Sequence, residues 1–268
     1  MDLQLKLAND GHALAYRSAE IDQLPAWATW RDEAYATTFE PIVFAYDRRA
    51  FAPDDVPRTH RALARLLLAN PARLRGKVGS YDPERSGIGC LLLTQDARLD
   101  PGFDETLRAY GAVRLRGYHS TIPMLDAVAS GELSVAVDVI ASYAQERQRR
   151  APNLGIVYPT DYALVLSRVA LIPRRAPHPD AARLFLDYLL SGRGQELAAA
   201  AGLGSVRVDL AGPGSAVEIA REHATVLRPI PVRPSVLVYV DGANRQAFVK
   251  RWRRGVRARE TGGAPAPR

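Results

Sequence analysis

The sequence has one cysteine, Cys90, so no intrachain disulfide can staple the fold, and a lone thiol leaves the redox compartment open. It has no apolar run near the ~20 residues that a membrane-spanning helix needs. The opening Met1-Asp2-Leu3-Gln4-Leu5-Lys6 lacks both the basic head and the apolar centre of a signal peptide, which taken literally reads as a cytosolic chain. The five histidines, His12, His60, His119, His178 and His223, are scattered with no i,i+4 pair, so no metal site is expected. None stands where it would activate Cys90, which lies in an apolar run and reads as core. A nucleophile elbow is missing, and the Gly-x-Gly of Gly87 and Gly89 lacks the lysine of a nucleotide phosphate loop. No catalytic residue is assigned, and no enzyme is expected.

What is present is the balance of a soluble globular protein: 268 residues, 47% hydrophobic and 24% charged, enough for one large domain or two lobes. The formal charge of +7 favours acidic ligands in general. Its arginines, however, are spread among alanine and leucine without interleaved aromatics, so no nucleic-acid groove is expected. No internal repeat at solenoid spacing is found.

The chain is organised around Tyr81-Asp82-Pro83-Glu84-Arg85-Ser86-Gly87-Ile88-Gly89, which runs into Cys90-Leu91-Leu92-Leu93. Pro83 ends an extended segment, Ser86 is a favourable helix N-cap, and the glycines leave backbone N–H groups uncovered in the first turn. Those groups and the positive end of the helix dipole suit a phosphate, phosphonate or carboxylate. An ordinary capped helix is the alternative.

Along the chain, Met1 to Asn9 reads as a helix in progress that carries Leu3, Leu5 and Leu7 and stops at Asn9-Asp10-Gly11. A domain opening inside a helix is expected to lack upstream residues. Strands are predicted over 37–46, 77–81, 113–116 and 135–140, and helices over 60–68, 86–96 and 102–110, with another opened by His119 to Pro123. Ala141-Ser142-Tyr143 reads as a turn into a helix over 144–150, followed by extended segments at 156–162 and 163–172. Ala176 to Asp180 caps an amphipathic helix whose Ala181, Leu184, Phe185, Tyr188 and Leu189 share one stripe. A short helix at 195–201 and a last one at 242–256, with Phe248, Val249 and Trp252 inward, precede a disordered tail over 257–268.

Residues 35 to 207 resemble the periplasmic solute-binding proteins of ABC transporters, in the branch of ferric-iron, phosphonate and phosphoglycerate binders. Carrying the resemblance are Thr38-Phe39-Glu40-Pro41-Ile42-Val43-Phe44-Ala45-Tyr46, Asp55-Val56-Pro57, Gly76-Lys77-Val78, Asp82-Pro83 with Ser86-Gly87-Ile88-Gly89, and Ala129-Ser130-Gly131-Glu132. The most specific run is Ala176 to Ser191, with Gly194-Gln195 and Ser205-Val206-Arg207.

The resemblance implies an α/β, two-lobed type 2 periplasmic binding fold that traps its ligand by hinge closure. The first lobe, 1–46 and 162–212, is expected to be incomplete, and the second to comprise 47–161 and 213–256. A monomer in the periplasm is implied, handing a small anionic solute to an ABC permease without a cofactor, its export signal lost upstream. A ferric-iron binder of the same fold and a ligand sensor for a signalling partner are the alternatives. In this resemblance Ser86, Gly87, Ile88 and Gly89 hold the anion. Ser120 and Thr121, at a second helix start, are either a second oxyanion contact or a plain cap. Tyr143 stands where iron binders place a pair of tyrosinates, but its neighbour here is Ser142, which argues for an organic or phosphorylated anion. Asp161, beside Tyr162, meets an ammonium or hydroxyl group of the ligand or serves a hinge turn.

Overall fold

Short runs rich in valine, alanine and aromatics form the strands, while Ser, Thr and Gly residues between them start and stop the helices. The computed structural model describes residues 1–257, so the tail expected over 257–268 lies, beyond Arg257, outside the described residues. In chain order the elements are α1 (Asp2–Asn9), β1 (Thr29–Trp30), β2 (Ala34–Ala36), β3 (Glu40–Asp47), α2 (His60–Ala69), β4 (Val78–Tyr81), α3 (Gly87–Leu99) and α4 (Phe103–Ala112). There follow β5 (Arg116–Tyr118), α5 (Thr121–Ser130), β6 (Val135–Ile140), α6 (Ala141–Arg150), β7 (Leu154–Val157), β8 (Ala163–Leu166) and β9 (Val169–Ala170). The chain continues with α7 (Pro179–Leu190), α8 (Gly192–Ala200), α9 (Ala216–His223), β10 (Leu227–Pro229), α10 (Leu237–Val240) and α11 (Gly242–Arg257).

Packing divides the chain into two units. Among the described residues, unit one comprises Met1–Ile42, Ile140–Gln145 and Thr160–Asp241; unit two comprises Val43–Val139, Glu146–Pro159 and the stretch from Gly242 to Arg257. Residues 213–241 therefore belong to unit one, where the sequence reading gave them to the second lobe. Backbone pairing is the reason: β10 lies parallel to β8, Ile230 N–H donates to Val165 O at 3.0 Å, and Val232 N–H donates to Trp27 O at 2.7 Å.

In unit two the strand order is β7, β3, β6, β4, β5. β4 pairs parallel with β6 (Val78 opposite Val135) and with β5 (Tyr81 opposite Tyr118). Three adjacent strands thus lead directly into helices, β4 into α3, β5 into α5 and β6 into α6. β5 lies later than the predicted 113–116, because α4 continues to Ala112, Val113 is buried at its end, and Arg114 turns the chain at φ 52°. α6 needs no turn at Ala141-Ser142-Tyr143: the helix starts at Ala141, which puts Tyr143 in its first turn. α11 packs on α4, with Phe248 against Phe103 and Trp252 against Tyr110 at centroid distances of 6.1 Å.

In unit one, β2 pairs with β1 and β9 while β8 pairs with β10 and with the start of β3. Its core gathers Tyr35, Ile172, Leu186 and Leu190. Burial pushes the Tyr35 phenol up to about 12, and its hydroxyl donates to Tyr16 O at 2.6 Å. The stripe read from the sequence is not the face that α7 buries: Leu184 is 72% exposed, Phe185 62% and Tyr188 48%. Asp187 accepts from Tyr16 Oη and Ser18 Oγ, both at 2.6 Å, and this fixes the helix with Leu186 and Leu190 inward.

Candidate functional site

The C-terminal ends of parallel strands are where α/β sheets hold ligands, because helices that follow them aim free N–H groups at that edge. At the end of β4, Ser86 caps α3: its Oγ accepts from Gly89 N–H at 3.1 Å, and the residue is buried. That bond occupies Gly89, whose missing side chain serves packing, since a Cβ there would sit 2.3 Å from the Tyr81 Cβ. Gly87 differs. It is exposed, and a Cβ on it would meet nothing within 4 Å. Among the described residues, the N–H groups of Gly87 and Ile88 have no hydrogen-bond partner. Of the four positions read from the sequence, two therefore offer N–H groups, one caps and one packs.

At the end of β5, Ser120 precedes α5 without capping it. Thr121 is buried, and its hydroxyl shares a 2.5 Å hydrogen bond with Tyr81 Oη. Pro123 has no N–H, so Thr121 and Ile122 supply the first free N–H groups of this helix. Tyr81 ties the two starts together: its Cβ backs Gly89, and its hydroxyl meets Thr121. Sequence reasoning passed over this residue as the end of a strand.

Unit one holds Tyr143 and a cluster that sequence reading missed. Glu40, at the start of β3, has a side chain only 1% exposed. Thr38 Oγ1 and Arg168 Nε donate to its Oε1 at 2.9 Å each; Ser142 Oγ and Arg168 Nη2 donate to its Oε2 at 2.7 and 3.3 Å. The backbone N–H of Arg168 donates to Thr38 Oγ1 at 2.9 Å, so the cluster closes on itself. The Tyr143 hydroxyl lies close to the Arg168 guanidinium, and the Glu40 carboxylate leads the causes that hold the arginine's pKa above the usual guanidinium value. The signal was a glutamate and an arginine in otherwise apolar strand sequence, Glu40 before Pro41-Ile42-Val43 and Arg168 after Leu164-Val165-Leu166-Ser167. Asp161 is exposed and accepts the N–H of Tyr162 at 3.0 Å, a local turn contact.

A cavity of about 370 Å³ in unit two is lined by Glu84, Gly242, Arg245, Gln246, Val249, Lys250 and Arg253. It borders the loop ahead of Ser86. Arg245 Nη2 donates to Glu84 O at 3.1 Å, and Arg253 Nε donates to Glu84 Oε1 at 2.8 Å, so α11 anchors the loop that presents α3.

The profile of the bacterial extracellular solute-binding protein family matches residues 2–216. The chain belongs to that family. The substrate-binding protein of an ABC transporter from Agrobacterium tumefaciens is 34% identical to this solute-binding protein, with a TM-score of 0.87 over 96% of this chain and 77% of the other. Iron-bound HitA from Pseudomonas aeruginosa, 16% identical, matches at 0.71 over 95% and 79%. AfuA from Actinobacillus pleuropneumoniae, with exogenous fructose-6-phosphate bound, is 21% identical and matches at 0.64 over 95% and 80%. At those identities HitA and AfuA attest the fold, the type 2 periplasmic binding fold. A search of the curated proteins found no match. Members of this family bind rather than transform their solutes, and in ABC importers they work with a membrane permease.

Proposed function

We propose that this solute-binding protein captures a small anion, namely a phosphate ester, a phosphonate or a carboxylate, in the periplasm and delivers it as a monomer to its permease. The observation that carries the reading is the pair of helix starts on neighbouring parallel strands, with the N–H groups of Gly87, Ile88, Thr121 and Ile122 and the hydroxyls of Ser86 and Ser120 as donors. Two helix N-termini favour negative charge without a dedicated cation. Unit one, taken by itself, carries the exposed Tyr143 hydroxyl, and Asp161 there suits a hydroxyl or ammonium group.

Titration calorimetry with inorganic phosphate, methylphosphonate, fructose 6-phosphate and citrate tests this. Loss of a hydrogen bond to a charged group costs about 1.5–3 kcal/mol, so Ser86→Ala is expected to weaken binding roughly 10- to 100-fold. Gly87→Val places a branched side chain before the free N–H groups and is expected to do more damage. Cys90→Ala leaves affinity unchanged. Wild-type affinity in both Ser86→Ala and Gly87→Val would remove the helix starts from the site.

A further inference from the structure

A carboxylate can take about four hydrogen bonds, and Glu40 receives four: one each from Thr38 and Ser142 and two from Arg168. It has no acceptor left for a metal ion or a ligand, and its role is to fix a guanidinium. Arg168 gives two of its five N–H groups to that carboxylate, and the Tyr143 hydroxyl lies close by. The rest faces outward, since the Arg168 side chain is 51% exposed and Tyr143 37%. Ser142, the neighbour of Tyr143, is committed to Glu40 and therefore belongs to the same device.

We propose that Arg168 is the resident cation of this face: its guanidinium, fixed by Glu40 and close to the Tyr143 phenol, offers its outward N–H groups, beside the phenol O–H, to an oxyanion of the solute. Glu40, Thr38 and Ser142 are positioning residues that hold the fork. The proposal rests on the reading that the solute is an anion, and adds that the protein refuses ferric iron because a fixed positive charge already stands beside Tyr143. A guanidinium suits planar, two-point recognition of carboxylate or phosphate, which a lysine in the same place would not supply.

The experiment compares wild type with Arg168→Lys, which keeps the charge but loses the fork, and with the pair Arg168→Gln and Glu40→Gln, which removes both partners of the ion pair together. Citrate and fructose 6-phosphate are titrated by calorimetry, and ferric nitrilotriacetate is followed by visible absorbance. The expected results are a roughly 10- to 100-fold loss of anion affinity in the paired variant, an intermediate loss in Arg168→Lys, and no tyrosinate-to-iron colour in wild type. Should the paired variant fail to fold by circular dichroism, Arg168→Lys decides alone. Unchanged affinity in the folded variants overturns the proposal while a damaged Gly87→Val leaves the helix-start reading standing; the reverse pattern overturns that reading and leaves this one. A coloured stoichiometric ferric complex of wild type that bleaches in Tyr143→Phe overturns the resident-cation role, and silence of wild type toward both anions overturns both.

Discussion

Gly87 and Gly89 stand two residues apart in one helix start, yet they do different work. A side chain at Gly89 runs into Tyr81, whereas one at Gly87 enters open space. Gly89→Ala is therefore expected to destabilise the fold by about 1–3 kcal/mol, and Gly87→Ala to stay within about 0.5 kcal/mol, as read from urea midpoints. Asp138 poses a second residue-scale question. It sits buried in β6 at φ 61°, accepts from Ser80 Oγ at 2.7 Å, shares a hydrogen bond with Asp96, and has His60 and Tyr110 nearby. Burial raises its carboxyl pKa above the ordinary value, with the Ser80 bond opposing. The folded state thus keeps a proton that the unfolded chain releases. This contribution favours folding below the unfolded carboxylate range and is lost as pH climbs from there toward the folded value. Asp138→Asn keeps the acceptor, tolerates the left-handed backbone, and should flatten the fall; the difference between wild-type and variant midpoints from pH 3.5 to 7.5 measures it. A difference that does not change with pH would contradict the assignment.

At the scale of elements, α7 exposes the surface that its sequence suggested it would bury. Leu184, Phe185 and Tyr188 form an open apolar strip, and such strips promote association. Phe185→Lys with Leu184→Glu should lower dye binding by apolar surface and reduce concentration-dependent association in sedimentation, with little change in melting temperature. A large loss of stability would mean that the strip is covered in solution. The rotation of α7 was not legible because it is set by Asp187 meeting Tyr16 and Ser18, some 170 residues away in sequence (|i−j| of 171 and 169), and stripe analysis sees only neighbours. Local chemistry was legible. Ser86 caps where its residue type foretold, and Val135 to Ile140 forms its strand. The anion-suited start of α3 was visible for the same reason, as it lies within one turn of chain. The Glu40 and Arg168 cluster was not, because it joins Thr38 and Glu40 to Ser142, Tyr143 and Arg168, positions that only the fold brings together.

For the whole molecule, neither unit is a continuous piece of chain. Crossings fall at Ile42/Val43, Val139/Ile140, Gln145/Glu146, Pro159/Thr160 and Asp241/Gly242, the first inside β3, the second inside β6 and the third inside α6. Elements shared in this way couple the two units' stabilities, so thermal unfolding should be a single transition with coincident near- and far-ultraviolet circular dichroism midpoints. Two resolved midpoints would show the units to be independent. The same threading has a consequence for synthesis, which proceeds from the N-terminus. β10, the partner of β8, leaves the ribosome only at Leu227–Pro229, and α11, the cover of Phe103 and Tyr110, later still. Each unit waits for a segment translated well after the strands and helices it completes. The nascent chain therefore stays open until these two segments emerge, and both halves close in quick succession.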